Sequence, residues 1–155
     1  MALPLLARDF REFLKLFESN RVEYLLIGGY AVNLYGHVRT TNDLDVWVKV
    51  SPENAAKIEQ ALREFGFGEA GLTPDLFLAQ HNVVRMGFPP VRIEILTSIS
   101  GVDFEECYAG KEMVQVGDMI VPVISLASLR QNKAASGREK DLSDLANLPD
   151  AGPLK

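Results

Sequence analysis

Asp43 and Asp45 are separated by one leucine within the run Asn42 to Val50, where Leu44, Val46, Val48 and Val50 alternate with Asp43, Asp45, Trp47 and Lys49. Such alternation predicts a strand, on which residues i and i+2 leave the same face. The two carboxylates then stand side by side, repel, and raise each other's pKa unless a cation sits between them. A divalent metal resolves that conflict. Oxygen-only ligands select a hard ion, so Mg²⁺, with Mn²⁺ as its substitute, is the expected cofactor; Mg²⁺ takes one or two carboxylates and fills its shell with water and substrate phosphate. A solvated acidic strand face would carry the same two residues, so the pair gains meaning only from its neighbours.

Gly28 and Gly29 are the first such neighbours, placed between the β-favouring run Val22 to Ile27 and the helical stretch Tyr30 to Tyr35, which Gly36 closes. Without a Cβ, the backbone N–H groups of a strand-to-helix junction can come close to a phosphate, although a plain tight turn uses the same residues. Glu94 is the second. It lies in Val91 to Leu96, on the face of Arg92 and Leu96 and opposite Val91, Ile93 and Ile95. If this strand adjoins the aspartate strand, three carboxylates converge; otherwise Glu94 is an exposed acid paired with Arg92 or Arg85. Arg39, Lys133, Arg138 and Lys140 could pair with phosphates, arginine in a bidentate manner. Lys140 with Asp144 (i,i+4) and Arg138 with Asp141 (i,i+3) equally fit ion pairs on a helix surface.

The elements that must hold these residues follow from periodicity. Phe10, Phe13, Leu14 and Phe17 predict an amphipathic helix over 8–19 that packs on a sheet. Ser51 and Pro52 cap a helix whose buried face is Ala55, Ala56, Ile58, Ala61, Leu62 and Phe65, ended by Gly66. A shorter helix is expected over 74–79. Strands over 83–86 and 91–96 form a hairpin bent at Gly87-Phe88-Pro89-Pro90, and strands over 113–116 and 119–124 meet at Gly117-Asp118, where glycine supplies a positive φ. Residues 103–108 predict a brief helix, Ser125 caps another that runs to 136, and the last covers 138–148 beyond Gly137. The sum is an α+β fold, a mixed central sheet of five to seven strands flanked by four to six helices. We expect one domain over 1–149 and a loose tail over 150–155.

Composition narrows the function. A chain of 155 residues, 47% hydrophobic, can bury roughly 70% of the surface its unfolded form exposes, so it needs no metal or disulfide staple. Its single cysteine, Cys107, excludes an internal disulfide and fits a packed thiol. The N-terminus lacks a secretory h-region and no stretch approaches the roughly 20 apolar residues of a membrane span, so the cytoplasm is the expected location, with no membrane partner. A net charge of −5 argues against a surface devoted to nucleic acid. His37 and His81 lack zinc spacing, and neither Gly-x-Gly-x-x-Gly nor a P-loop is present. Trp47, on the aspartate face, either stacks on a base or is a half-buried sheet aromatic.

Taken together, Leu26-Ile27-Gly28-Gly29-Tyr30-Ala31, then Arg39-Thr40-Thr41-Asn42-Asp43-Leu44-Asp45-Val46, with thirteen residues (30 to 42) between the diglycine and the first aspartate and Glu94 on a later strand, resemble the DNA polymerase β-like nucleotidyltransferase superfamily. The likeness is to its minimal branch, whose C-terminal helices are similar to Lys133 through Leu145. The resemblance implies that Gly28 and Gly29 hold the triphosphate of a nucleoside triphosphate, with Arg39, Thr41, Lys133, Arg138 and Lys140 as nucleotide-binding residues. It also implies that Asp43, Asp45 and Glu94 are catalytic, ligating two Mg²⁺ ions roughly 3.5–4 Å apart. Glu94, where family members commonly have Asp, would also take the proton of an acceptor hydroxyl. The implied reaction moves a nucleoside monophosphate to that hydroxyl and releases pyrophosphate. Other readings are a catalytically silent binding module of the same fold, such as one member of a toxin–antitoxin pair, and a metal-dependent nuclease. A small molecule, a tRNA or a protein would be the acceptor, and a homodimer or partner protein could complete its site.

Overall fold

The structure is a computed structural model, which describes residues 2–3, 6–41, 43–66 and 74–150. Asn42 of the expected aspartate strand and residues 151–155 of the expected tail lie outside the described residues. A seven-stranded mixed sheet forms the centre, in the order β1-β6-β7-β2-β3-β5-β4. The strands are β1 (Ala2–Leu3), β2 (Tyr24–Ile27), β3 (Asp43–Val48), β4 (Val83–Met86), β5 (Arg92–Leu96), β6 (Glu112–Val116) and β7 (Met119–Val123). β2 pairs antiparallel with β3, β3 parallel with β5, and β5 antiparallel with β4. β3 is thus flanked on both sides, and Leu44, Val46 and Val48 are fully buried. β1 has too few residues to show a period in sequence; it is defined by parallel pairing with Gln115 and Val116 of β6.

Helix α1 (Arg8–Ser19) buries the four residues its period singled out, Phe10, Phe13, Leu14 and Phe17. The Phe17 ring meets Tyr24 of β2 edge-on at 5.4 Å, and Phe13 meets Phe65 of α3 (Pro52–Phe65) at 5.6 Å, so α1 packs on both sheet and helix. The Ser51 side chain accepts the Asn54 N–H, and Gly66 ends α3 at φ 103. The expected helix over 74–79 is instead a 3-10 turn, Pro74–Phe77, anchored by fully buried Phe77. Four residues cannot repay helix nucleation. α2 (Gly28–Leu34) begins on the diglycine itself rather than after it. α5 (Leu126–Ser136) follows its Ser125 cap as expected, α4 (Phe104–Ala109) starts after Asp103, whose side chain accepts the Glu106 N–H, and α6 (Glu139–Asn147) starts after Arg138 without a side-chain cap. Trp47 is buried edge-on against Phe104 of α4 at 5.1 Å, which takes it out of reach of a base.

Asn54 ties this frame together. The residue is 1% exposed, and its side-chain amide accepts the Glu23 N–H at 2.8 Å and donates to the Glu23 carbonyl at 3.0 Å and the Lys49 carbonyl at 2.8 Å. It satisfies backbone groups just before β2, which leads into the diglycine, and just after β3, which carries the aspartates. Asn54→Ala leaves these groups buried and unpaired, and should cost about 2–4 kcal/mol. Denaturant titration checks this; a loss below about 1 kcal/mol would mean that water replaces the amide.

Candidate functional site

β3 and β5 run parallel with Asp45 opposite Glu94 and Asp43 opposite Arg92. This register brings one carboxylate oxygen from each of Asp43, Asp45 and Glu94 within 4.8 Å of the others. Leu44 and Ile93, buried between them, lock the two strands so that the acids are directed to one face. Burial pushes the Asp45 carboxyl up to about 7, assisted by the charge of Glu94 and a hydrogen bond to it and by the charge of Asp43, with Lys140 acting in the opposite sense. Asp45 Oδ1 is buried and has no hydrogen-bond partner among the described residues. An orphaned oxygen among three close carboxylates is the environment a hard divalent cation would satisfy.

Two arginines absent from the expected nucleotide-binding set neutralise part of this charge. Arg92 donates Nε at 3.1 Å and Nη2 at 2.7 Å to the two oxygens of Asp43, and its Nη2 lies 3.5 Å from Glu94. Arg85, from the antiparallel neighbour β4, donates Nε to Glu94 at 3.0 Å. The sequence names both as partners of Glu94, but only the β3–β5 register reveals that Arg92 grips Asp43.

The diglycine lies directly against these acids. Gly28 adopts φ +69, and a Cβ added there would overlap the Asp45 carboxylate, with Asp45 Cγ 2.9 Å away. A Cβ on Gly29 would stand 2.6 Å from Thr41 Cβ. Glycine at both positions is therefore demanded by the close approach of α2 to β3 and to the loop before it. Gly28→Ala combines a disfavoured backbone with a collision on Asp45 and should cost about 1–3 kcal/mol of stability. It should also displace the carboxylate and lower transfer activity at least about 100-fold. A melting curve and a transfer assay test both; near-normal activity would show that the tight approach is dispensable.

Behind the diglycine, the C-terminal helices build a buried ionic network. Asp144, its side chain 2% exposed, accepts from Arg39 Nε at 2.8 Å and Nη2 at 3.0 Å, and lies 3.1 Å from Lys133 Nζ. Asp141 accepts from Lys133 at 2.8 Å, from Arg138 at 2.9 Å, and from the Ser136 hydroxyl. Burial pushes Asp141 up, but its bonds to Lys133, Ser136 and Arg138 outweigh that and hold the carboxyl down to about 2. Asp144 is likewise held below its ordinary range by Arg39 and Lys133 against the burial effect. These acids are not helix-surface partners: Asp144 turns inward to Arg39 and Lys133 instead of pairing with Lys140, because 141 and 144 share the α6 face packed on α5. Arg138 does pair with Asp141, on a buried carboxylate. Lys140 is exposed and makes no ion pair or hydrogen bond among the described residues.

All ten residues singled out from sequence (Gly28, Gly29, Arg39, Thr41, Asp43, Asp45, Glu94, Lys133, Arg138 and Lys140) line one cleft of about 840 Å³, together with Arg85, Arg92 and Asp141. Its lining holds six Arg and Lys side chains and four carboxylates, in a chain whose net charge is −5. Among the described residues no helix is long and apolar enough to cross a membrane.

Comparison with known proteins agrees with this architecture. A Thermotoga maritima protein described provisionally as a nucleotidyltransferase superposes with a TM-score of 0.62 at 19% identity, covering 90% of this chain and 89% of that one. The lincosamide antibiotic adenylyltransferase LnuA, bound to lincomycin, superposes with a TM-score of 0.52 at 18% identity, covering 92% and 96%. At such identities these two share the fold. No curated protein sequence matches the chain significantly. The model of the aminoglycoside-2''-adenylyltransferase family, in contrast, matches residues 9–148. That span runs from α1 through the end of α6 and includes every residue of the cleft, so the chain belongs to the aminoglycoside-2''-adenylyltransferase family and is a nucleotidyltransferase.

Proposed function

We propose that this enzyme transfers AMP from ATP to a hydroxyl of a small organic acceptor and releases pyrophosphate. The observation that carries the reading is the meeting of Asp43, Asp45 and Glu94 beside Gly28 and Gly29, in a chain matched across 9–148 by an adenylyltransferase family. The family description names an aminoglycoside and LnuA a lincosamide, both small molecules. A catalytically silent module is less well supported, because the three acids stand together and the family is enzymatic.

The donor set of Asp43, Asp45 and Glu94 fits Mg²⁺ or Mn²⁺, which when bound would polarise the α-phosphate and offset the charge of the departing pyrophosphate. The chain's own residues do the rest. Gly28 and Gly29, side-chain-free because Asp45 and Thr41 fill that space, bring backbone close beside the acids, and the triphosphate would lie against it there. Arg39 and Lys133, fixed from behind by Asp144, present cations to the phosphates in a held geometry, and exposed Lys140 adds a further one. Glu94 accepts the hydroxyl proton as the acceptor oxygen bonds to the α-phosphorus and the bond from that phosphorus to the bridging oxygen of the β-phosphate breaks. Atoms balance as acceptor hydroxyl plus ATP giving the adenylylated acceptor, pyrophosphate and the proton. We take residues 1–149 as one catalytic domain, working in the cytoplasm where ATP is supplied.

The test is incubation with α-labelled ATP, GTP, CTP or UTP, Mg²⁺ and a small-molecule extract, with separate detection of pyrophosphate. Transfer of label with equivalent pyrophosphate release, lost on chelation, is the expected result. Absence of both with every triphosphate, or cleavage of DNA or RNA without added triphosphate, would remove this reading.

A further inference from the structure

Arg92 already places a cation among the three acids. Its Nη2 lies 2.7 Å from Asp43 Oδ2 and 3.5 Å from Glu94 Oε1, so one cationic nitrogen bridges two of the three carboxylates that converge within 4.8 Å. Nε completes the grip on Asp43, on its other oxygen, at 3.1 Å. Asp45 has no such partner, its Oδ1 being bonded to nothing among the described residues. We propose that Arg92 is a displaceable internal counter-ion: it holds Asp43 in the nucleotide-free protein, keeps metal affinity low there, and must release Asp43 before that residue can serve as a ligand. This role rests on the metal-dependent transferase reading above and adds a control on when the site is loaded.

Electrostatics supplies the competition. A guanidinium in direct contact with Asp43 offsets the charge that would draw a divalent cation, and it repels the cation itself. Register supplies the geometry. Arg92 lies opposite Asp43 on the parallel strands β5 and β3, so the sheet sets their separation, and release needs only rotation of a long side chain with no movement of backbone. Exposure permits that rotation: the Arg92 side chain is 33% exposed and lines the open cleft, whereas Arg39 and Lys133 are clamped on Asp144, whose side chain is 2% exposed. Arg85 is the weaker competitor, because it makes a single Nε bond to Glu94 at 3.0 Å and is 60% exposed, where water screens it. A triphosphate arriving in the same cleft offers the guanidinium fork replacement oxygens, so nucleotide and ion would load together. The contrary role is an arginine that orients Asp43 toward the metal, as groups behind a ligand commonly do. The two roles differ in sign. Losing an orienting partner weakens metal binding, and losing a competitor strengthens it.

The experiment measures Mn²⁺ binding without nucleotide, through the paramagnetic resonance of the free ion, in the parent and in Arg92→Gln, Arg92→Lys and Arg85→Gln. Arg92→Gln should bind Mn²⁺ about tenfold more tightly than the parent or better, as removal of a charge-assisted pair implies. Arg92→Lys should gain by an intermediate factor, since an ammonium keeps the charge and lacks the fork. Arg85→Gln should gain less than about threefold. In the parent, Mg²⁺ titration followed through ¹⁵N-labelled arginine side chains should shift the Nε–H resonance that the Arg92→Lys spectrum lacks. Equal or weaker Mn²⁺ binding by Arg92→Gln would make Arg92 an orienting partner and overturn the proposal. A gain in Arg85→Gln as large as that in Arg92→Gln, or an Arg92 resonance unmoved at saturating Mg²⁺, would overturn it as well. If Arg92→Gln does not fold, the sign of the change in Arg92→Lys decides: tighter binding supports the exchange, and equal or weaker binding removes it. Absence of Mn²⁺ binding in the parent and every variant, with and without α,β-methylene ATP, marks the metal-dependent reading itself as wrong, and the role of Arg92 falls with it.

Discussion

Asp45→Asn should lower nucleotidyl transfer about 10³-fold or more while leaving a folded protein, and in the absence of metal the variant should resist alkaline pH better than the parent. The activity loss follows from geometry. Asp45 faces Glu94 in the β3–β5 register, its Oδ1 has no hydrogen-bond partner among the described residues, and it packs against Gly28. Charge stabilisation at the reacting phosphate, commonly the largest catalytic contribution, would lose its central ligand. The stability effect follows from titration. Burial and the charge of Glu94 raise the folded-state pKa of Asp45 to about 7 from an ordinary 3.8. A carboxyl raised in this way contributes stability that is whole below about pH 4 and is lost as pH rises through about 7, since ionisation then happens inside the fold. Asparagine carries no such charge. Urea melts in EDTA from pH 5 to 9 should show the parent weakening toward the alkaline end and the variant nearly flat over the same range. An activity loss below tenfold, or parallel melts for the two proteins, would refute the respective half of this prediction.

Asp144→Ala should be the most destabilising single change in the C-terminal helices, at about 3–5 kcal/mol, because it strips Arg39 of its bidentate partner and Lys133 of one of two carboxylates inside the protein. For a domain of this size that corresponds to a fall in melting temperature of roughly 10 °C. Asp144→Asn, which keeps one acceptor oxygen for Arg39 but loses the charge and the second acceptor, should fold better yet bind ATP several-fold more weakly, since Arg39 packs beside Gly29 and would be held there less firmly. Acid should mimic the deletion. Asp141 and Asp144 have folded-state pKa values below their ordinary 3.8, so their contribution is present above about pH 4 and disappears as pH falls through the folded values, toward about 2 for Asp141. Calorimetric melts at pH 7 and pH 3, with and without Asp144, would check both statements; a change under 1 kcal/mol at pH 7 would reduce the network to surface ion pairs.

The readable and unreadable parts of this protein divide along the range of the interactions involved. Asp43 and Asp45 share a face because a strand repeats every two residues; α1 buries the residues its 3.6-residue period selects, and α3 buries Ala55, Ile58, Ala61 and Leu62 of its expected face but leaves Ala56 exposed and Phe65 half-buried. Ser51, Gly66, Ser125 and Gly137 mark helix ends through local backbone chemistry, so these too are visible in the chain. Glu94 was recognisable as a candidate, yet its approach to the aspartates depends on β5 pairing parallel with β3 across about fifty residues of chain. Hydrophobic alternation carries no record of which strand lies beside which. For the same reason Lys140 and Asp144 read as neighbours on one helix, whereas packing of α6 on α5 turned Asp144 toward an arginine 105 positions away.

Composition and short spacings alone therefore determined the kind of fold, most element boundaries, and the residue types of a metal-and-phosphate chemistry, because each of those depends on a few consecutive residues. Tertiary structure alone decided that the three acids meet, that Gly28 must lack a side chain because Asp45 fills its space, and that Arg92 grips Asp43 while Arg85 bonds Glu94. Each of those contacts joins segments whose proximity is set by sheet order and core packing, and neither is written in any local stretch of residues.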